Sequence, residues 1–430
     1  MNYQKTILKN GLRVVTIPMP SVQSVTVMVL VGAGSRYETK KIWGLSHFVE
    51  HMAFKGTKKR PTTLEIASLV EGIGGEFNAA TSKDHTSYYI KAASKHLPLL
   101  LDVLSDMLLN SLFKQEEIDR EKGVILEEMN MREDMPIYKV GEILETLLHG
   151  NTPLGRRIIG EKEVIKSLKR KDFIEYLQGY YVPENTVIVI AGSAGEIRNS
   201  KFEIRNLVNK YLGSWKKQSF KKFKKMTDKQ TRPALEVVYK KTEQAHLCLG
   251  ARAYQQNHPD RFALSVLSTI LGGGMSSRLF LEVRERRGLA YYVKSSSERF
   301  QDVGYFVTQA GVDLKRIEEA VRVILSEYAK LRNCEIAKLK NEELKKAKEF
   351  LKGRLILELE DSKEIASLYG IQEILQNKIK TSEEKMKKIE KVTKEDILRV
   401  AKDIFRLEKL NLAVIGPYKT RQQFEKLLRL

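Results

Sequence analysis

Cysteine and long apolar runs are both scarce in this 430-residue chain. The two cysteines, Cys248 and Cys334, are too few and too far apart for a disulfide framework or a cysteine metal cluster, which fits a reducing compartment. Any metal must then be held by histidines and carboxylates. The longest strongly apolar stretch, VTVMVLVGAG, is too short to span a bilayer. The opening MNYQKTILKNGLRVV reaches a polar turn within ten residues and offers no signal-like apolar core, so a cytoplasmic protein without a membrane span is expected.

What is present is apolar content of 42% and a formal net charge of +21. The first supports ordinary globular packing, and at about 100 to 200 residues per domain the length suggests two to four domains. The charge invites a nucleic-acid reading, but most lysines sit beside glutamates in amphipathic stretches such as KNEELKKAKEFLKGR and TSEEKMKKIEKVTKED, the pattern of solvated helix faces. No specific nucleic-acid partner is expected. The one concentrated run, KKQSFKKFKK at 216–225, reads as a linker.

That linker, taken as 216–233, separates two regions, 1–215 and 234–430, that follow the same plan. GGEFNAATSKDHTSYYIKAASKHLPLLLDVLSDMLL in the first reads as strand, turn, strand and long amphipathic helix; RGLAYYVKSSSERFQDVGYFVTQAGVDLKRIEEAVRVIL repeats that order in the second. The fold class expected is α+β, built by internal duplication into two homologous domains, each a mainly antiparallel sheet packed with helices.

Only the first region carries the stretch GLSHFVEHMAFKG. On a helix running from Gly44 toward the Lys55-Gly56 stop, His47, Glu50 and His51 share one face. Two imidazoles at i and i+4 can bind one Zn²⁺, while a glutamate on that face can take a proton from water; this is the HxxEH order, the inverse of HExxH. The second region has no such motif, and its His246 and His258 stand alone. A third ligand is expected in EEIDREKGVILEEMNMRED, 116–134. There Glu128 falls on an apolar stripe with Val124, Ile125 and Met129, whereas Glu127 faces solvent, and a carboxylate on a buried stripe needs a partner such as a metal. Glu121, seven positions earlier, shares the face and could orient a histidine ligand.

These motifs, with SSRLFLEVRERRGLAYYV, resemble the pitrilysin/insulinase zinc peptidases, in particular the branch of the mitochondrial processing peptidase and its bacterial relatives. The spacing of 128 − 51 = 77 positions between Glu128 and His51 is part of the resemblance. By similarity His47, His51 and Glu128 match the family's ligands for one Zn²⁺ per chain, Glu50 its general base, and Glu121 an acidic residue near the metal. Arg284 and Tyr291 match residues that reach substrate, and Asn78 and Ala79, in GGEFNAATS, match positions on an edge strand where a peptide adds as a further strand. The resemblance further implies a chamber enclosed by the two domains, peptide or unfolded precursor substrates, and a homodimer or a heterodimer with a related chain. The alternative is a noncatalytic partner or scaffold subunit of such a complex, although those typically lose part of the HxxEH set.

Overall fold

Two runs rich in β-branched residues, SVTVMVLV and TVIVIAG, form the centre of the first sheet, where nearly every side chain is buried on both faces. The computed structural model describes residues 2–193, 201–227, 230–335 and 339–428. The first sheet contains β1 (Gln4–Ile7), β2 (Arg13–Pro18), β3 (Ser24–Val31), β4 (Glu76–Thr81), β5 (Thr86–Ala93) and β6 (Thr186–Gly192), in the order β1-β2-β6-β3-β5-β4. The second contains β7 (Ala234–Tyr239), β8 (Ala245–Ala253), β9 (Ala290–Arg299), β10 (Gly304–Val312) and β11 (Leu410–Gly416), in the order β7-β11-β8-β10-β9. Each sheet is antiparallel except for one pair, β2 with β6 and β7 with β11, so both are mixed sheets. The expected repeat is visible in β4, β5 and the helix Leu97–Asn110, matched by β9, β10 and the helix Ile317–Arg332.

Both faces of each sheet are covered by helices, and the cover is exchanged along the chain. On one face of the first sheet Val25, Val27 and Val29 pack in one core with Phe48, Leu100 and Leu104. On the other, Met28, Leu30 and Val189 meet Ile365, Ala366 and Tyr369 from the helix Ser362–Gln376, far along the sequence. A side chain at Gly370 would strike Leu30 Cδ1 at 2.4 Å, so that helix seats on β3 where it has no Cβ. In the second sheet Leu247 and Leu249 share a core with Leu264, Leu267 and Ile324. Its opposite face, with Cys248, Ala413 and Ile415, is covered by Val140, Leu144 and Leu148 of the helix Pro136–His149.

The compact units consequently interleave in sequence rather than following a boundary at 215 or 234. One comprises residues 1–129, 156–224 and 356–383; the other comprises 130–155, 225–355 and 384–430. Residues 216–227 have no helix or strand, and Arg36 of the first unit stacks its guanidinium 3.8 Å from the Phe223 ring. Cys248 and Cys334 are both free thiols. Among the described residues no helix is long and apolar enough to cross a membrane.

Candidate metal centre

The helix Leu45–Met52 begins at Gly44, whose φ of +97° places it in the left-handed region, and whose Cα backs onto Gly160 so closely that a Cβ would lie 2.7 Å from it. Glycine there offers no capping side chain. Glu38, buried upstream, supplies the cap: its carboxylate accepts from the N–H groups of Gly44 and Ser46, each at 2.7 Å, and from the Ser46 hydroxyl. Leu45, Phe48, Val49 and Met52 are buried, as is His47 beside them; His51 and Glu50 are half-buried. The helix stops at Met52 rather than running to Lys55. Gly56, at φ +115°, belongs to the following turn, where Pro61 O would lie 2.3 Å from a Cβ.

The long helix Gln115–Asp134 brings Glu128 against both imidazoles. Glu128 Oε2 lies 3.5 Å from His47 Nε2 and 3.7 Å from His51 Nε2, and donor atoms of the three residues all fall within 4.8 Å of one another. Three donors about 2.1 Å from one tetrahedral zinc would be about 3.3 to 3.4 Å apart, so two imidazole nitrogens and a carboxylate oxygen fit that ion with small adjustments. The expected face is observed with one correction: Ile118, Glu121, Ile125 and Met129 are buried, Glu128 is half-buried and Glu127 is exposed, but Val124 is also exposed at 49%. The inward stripe therefore runs through 118, 121, 125 and 129 at helical spacing.

Glu121 sits behind His51, with Oε1 2.9 Å from His51 Nδ1 and Oε2 2.6 Å from Lys55 Nζ. With Nδ1–H donating to Glu121, the His51 Nε2 lone pair is left facing Glu128. Burial, the largest single influence, disfavours the charged form of each, but their mutual hydrogen bond and the surrounding opposite charges together outweigh it: without metal, His51 is held above its ordinary pKa, and Glu121, also bonded to Lys55, below its own.

Glu50 projects toward the edge strand, where Thr81 Oγ1 donates to Glu50 Oε2 at 2.5 Å and lies 3.5 Å from Ser46 O. Burial pushes the Glu50 carboxyl up, against the opposing effect of the Thr81 bond and of His51. Thr81 ends β4, which also holds Asn78 and Ala79 and alternates exposed and half-buried residues along its length. Among the described residues the only strand paired with β4 is β5, and Asn78 Oδ1 accepts from Ala79 N at 2.8 Å. Thr81, Glu38 and Lys55 were not singled out from the sequence. The period-2 register of FNAAT, which puts Phe77, Ala79 and Thr81 on one side of the strand, is the signal that could have found Thr81; Glu38 and Lys55 lie in turns and had none.

Arg284 and Tyr291 belong to the other unit. A π-helical turn, Phe280–Glu285, leads toward β9, and the Arg284 guanidinium lies 4.8 Å from the Phe280 ring and 5.6 Å from the Tyr291 ring. Tyr291 is 73% exposed, available to a ligand. The helix Arg261–Gly272, packed on β9 as Leu45–Met52 is packed on β4, reads RFALSVLSTILG and contains no histidine or carboxylate. Among the described residues His47, His51 and Glu128 form the one group of three such side chains close enough to hold a metal.

A two-histidine, one-carboxylate donor set with a further glutamate on the same helix, mounted on an α+β sheet, is the arrangement of the metallopeptidase class. Comparison with known proteins narrows this. The insulinase profile of peptidase family M16 matches residues 13–162, and the profile of the M16 inactive domain matches 167–351. A zinc protease of Bacillus subtilis is 38% identical over 95% of this chain and 97% of its own. The mouse mitochondrial-processing peptidase subunit beta is 31% identical over 99% of this chain and 86% of its own. The crystal structure of a protease from Helicobacter pylori superposes with a TM-score of 0.89 at 26% identity, covering 97% and 99% of the two chains. The chain belongs to peptidase family M16, and its two duplicated domains are M16 domains.

Proposed function

We propose that the protein is a zinc-dependent endopeptidase or oligopeptidase acting on peptides or unfolded precursor segments, with His47, His51 and Glu128 holding one Zn²⁺. The observation that carries this reading is the convergence of those three donors within 4.8 Å beside Glu50. When bound, zinc would polarise the scissile carbonyl and acidify water. The remaining work falls to the chain. Glu50 is the general base: it takes the proton of the attacking water, and its protonated form returns it to the leaving amine. Thr81 holds that carboxylate toward the edge strand. Glu121, anchored by Lys55, holds the Nδ1 proton of His51 and fixes the tautomer that presents Nε2. Edge strand β4, with Asn78 and Ala79, pairs with the substrate backbone, a sequence-tolerant mode of binding. Arg284 and Tyr291 are assigned to substrate by family resemblance, and their mutual packing and the exposure of Tyr291 are compatible with that role.

The chain is expected to work as a homodimer or beside a related chain, in the cytoplasm. The decisive experiment is Glu50→Gln. The variant should bind zinc as the wild type does and lose peptide hydrolysis by about 10²-fold or more. Equal turnover in the zinc-loaded variant would end this assignment.

A further inference from the structure

Between β3 and the Leu45–Met52 helix the chain passes through Ser35–Glu38, four residues that the peptidase reading leaves without a role. Three of them are buried: Ser35, Arg36 and Glu38. Two sets of bonds leave this segment in different directions. Glu38 accepts from Gly44 N, Ser46 N and Ser46 Oγ, the start of the helix that carries His47, Glu50 and His51. Arg36 reaches the turn between β4 and β5, where its guanidinium pairs with Asp84 Oδ1 at 2.8 Å, both side chains at most 5% exposed. The backbone joins the same turn, with Ser35 N donating to Ser82 O and Arg36 N to Lys83 O, each at 3.1 Å. Gly34 permits this approach: a Cβ there would lie 2.2 Å from Ser82 O. Thr81, directly before that turn, closes the circuit by bonding Glu50 and approaching Ser46 O.

We propose that Ser35–Glu38 is a bracket that fixes the base-bearing helix relative to the substrate-binding edge strand, with Glu38 and Arg36 as positioning residues for the reaction. The physical case rests on burial. Each arm is an ionisable group removed from water whose partners are the two elements to be aligned, and such groups tolerate displacement poorly because any lost bond leaves a desolvated donor or acceptor. The helix has no capping side chain of its own, and the N–H groups of Gly44 and Ser46 at its start are met by the Glu38 carboxylate. A shift of the helix moves His47 and Glu50 together; a shift of the turn moves Thr81 while leaving the metal donors in place.

The two arms therefore fail differently, which a general loss of stability would not reproduce. The inference rests on the peptidase reading, and zinc affinity provides a readout independent of turnover. In full-length protein, Glu38→Gln keeps the shape but sets an amide NH₂ against a backbone N–H; zinc affinity should fall about 10-fold and kcat with it, as for other residues that orient metal ligands. Asp84→Asn should lower kcat about 10-fold while zinc affinity stays within about 2-fold, since the turn carries no donor to the metal. Should Glu38→Gln fail to fold, Ser46→Ala, which removes only the hydroxyl donor, should give a smaller loss of zinc affinity in the same direction. Folded Glu38→Gln with unchanged zinc affinity, or Asp84→Asn that changes melting temperature alone, would overturn the bracket while the peptidase reading stood. A wild-type protein that binds no zinc would overturn both.

Discussion

The two sheets are built alike and equipped differently. In each, an edge strand pairs with an antiparallel neighbour, a helix lies against that strand, and one parallel pair lies toward the far side, at the edge itself in the second sheet and one strand in from it in the first. The helix on β4 carries two imidazoles and a carboxylate, whereas the helix on β9 presents Ala263, Leu264, Val266, Leu267, Ile270 and Leu271 to its core. The fold therefore does not require the polar residues; the second unit shows the same layers closing on apolar side chains. The polar set of the first unit carries a burial cost, met by Glu121, Thr81 and Glu38 and, in the proposed function, by the metal.

This contrast can be tested by degrees. The largest effect should come from His51→Ala, which leaves two donors; zinc binding and hydrolysis should both be lost, measured by metal analysis and peptide turnover. Next is the choice between adjacent carboxylates. Glu128→Gln should deplete zinc and activity, while Glu127→Gln, on the exposed face, should leave both within about 2-fold; the reverse pattern would show the wrong helix face has been assigned.

Arg284→Ala and Tyr291→Phe test what the unequipped half contributes. Each should leave zinc bound and reduce kcat/KM, by up to about 10² if the group serves a developing oxyanion. Unchanged kinetics in both would reduce the second domain to a structural cover. A last test concerns stability in place of turnover. Burial pushes the Glu38 carboxyl from its ordinary 4.5 up to about 7, against the hydrogen bonds from Ser46 and Gly44 and the charge of Lys83. The native state then holds a proton that the unfolded chain has released between those pH values, so stability falls as pH rises from about 4.5 to 7, by about 3 kcal/mol. Comparing denaturant midpoints of metal-free wild type and Glu38→Gln at pH 5 and pH 8 should show that this part of the slope disappears in the variant.

Much of the site was legible because it is written at helical spacing. His47, Glu50 and His51 fall on one face by periodicity, and Glu128 is distinguished from Glu127 by the buried stripe. The mainly antiparallel sheets and the repeated strand, strand, helix order followed from alternating segments such as SYYIKAA, whereas the one parallel pair in each sheet did not. What escaped is non-local. Glu38 caps a helix from outside it, and Lys55 lies past the helix end and reaches Glu121, with no spacing rule for either; for Thr81 the strand register gives the side it faces but not the glutamate it meets. The exchange of helices escaped for the same reason, since amphipathic periodicity in 136–149 and 362–376 says that each buries a face but not against which sheet.

That exchange has a consequence for how the chain comes to be folded. The face of the first sheet formed by Met28, Leu30 and Val189 is closed by Ile365, Ala366 and Tyr369, which are synthesised some 170 residues after β6, the last strand of that sheet. At a synthesis rate of about 5 to 20 residues per second, this apolar face waits on the order of 10 to 30 seconds for its cover. A nascent chain stopped near residue 215 would hold all four residues of the HxxEH and Glu128 set yet display a bare hydrophobic sheet, a surface that binds chaperones or other unfinished chains. Premature termination of synthesis would thus yield aggregates in place of a smaller peptidase.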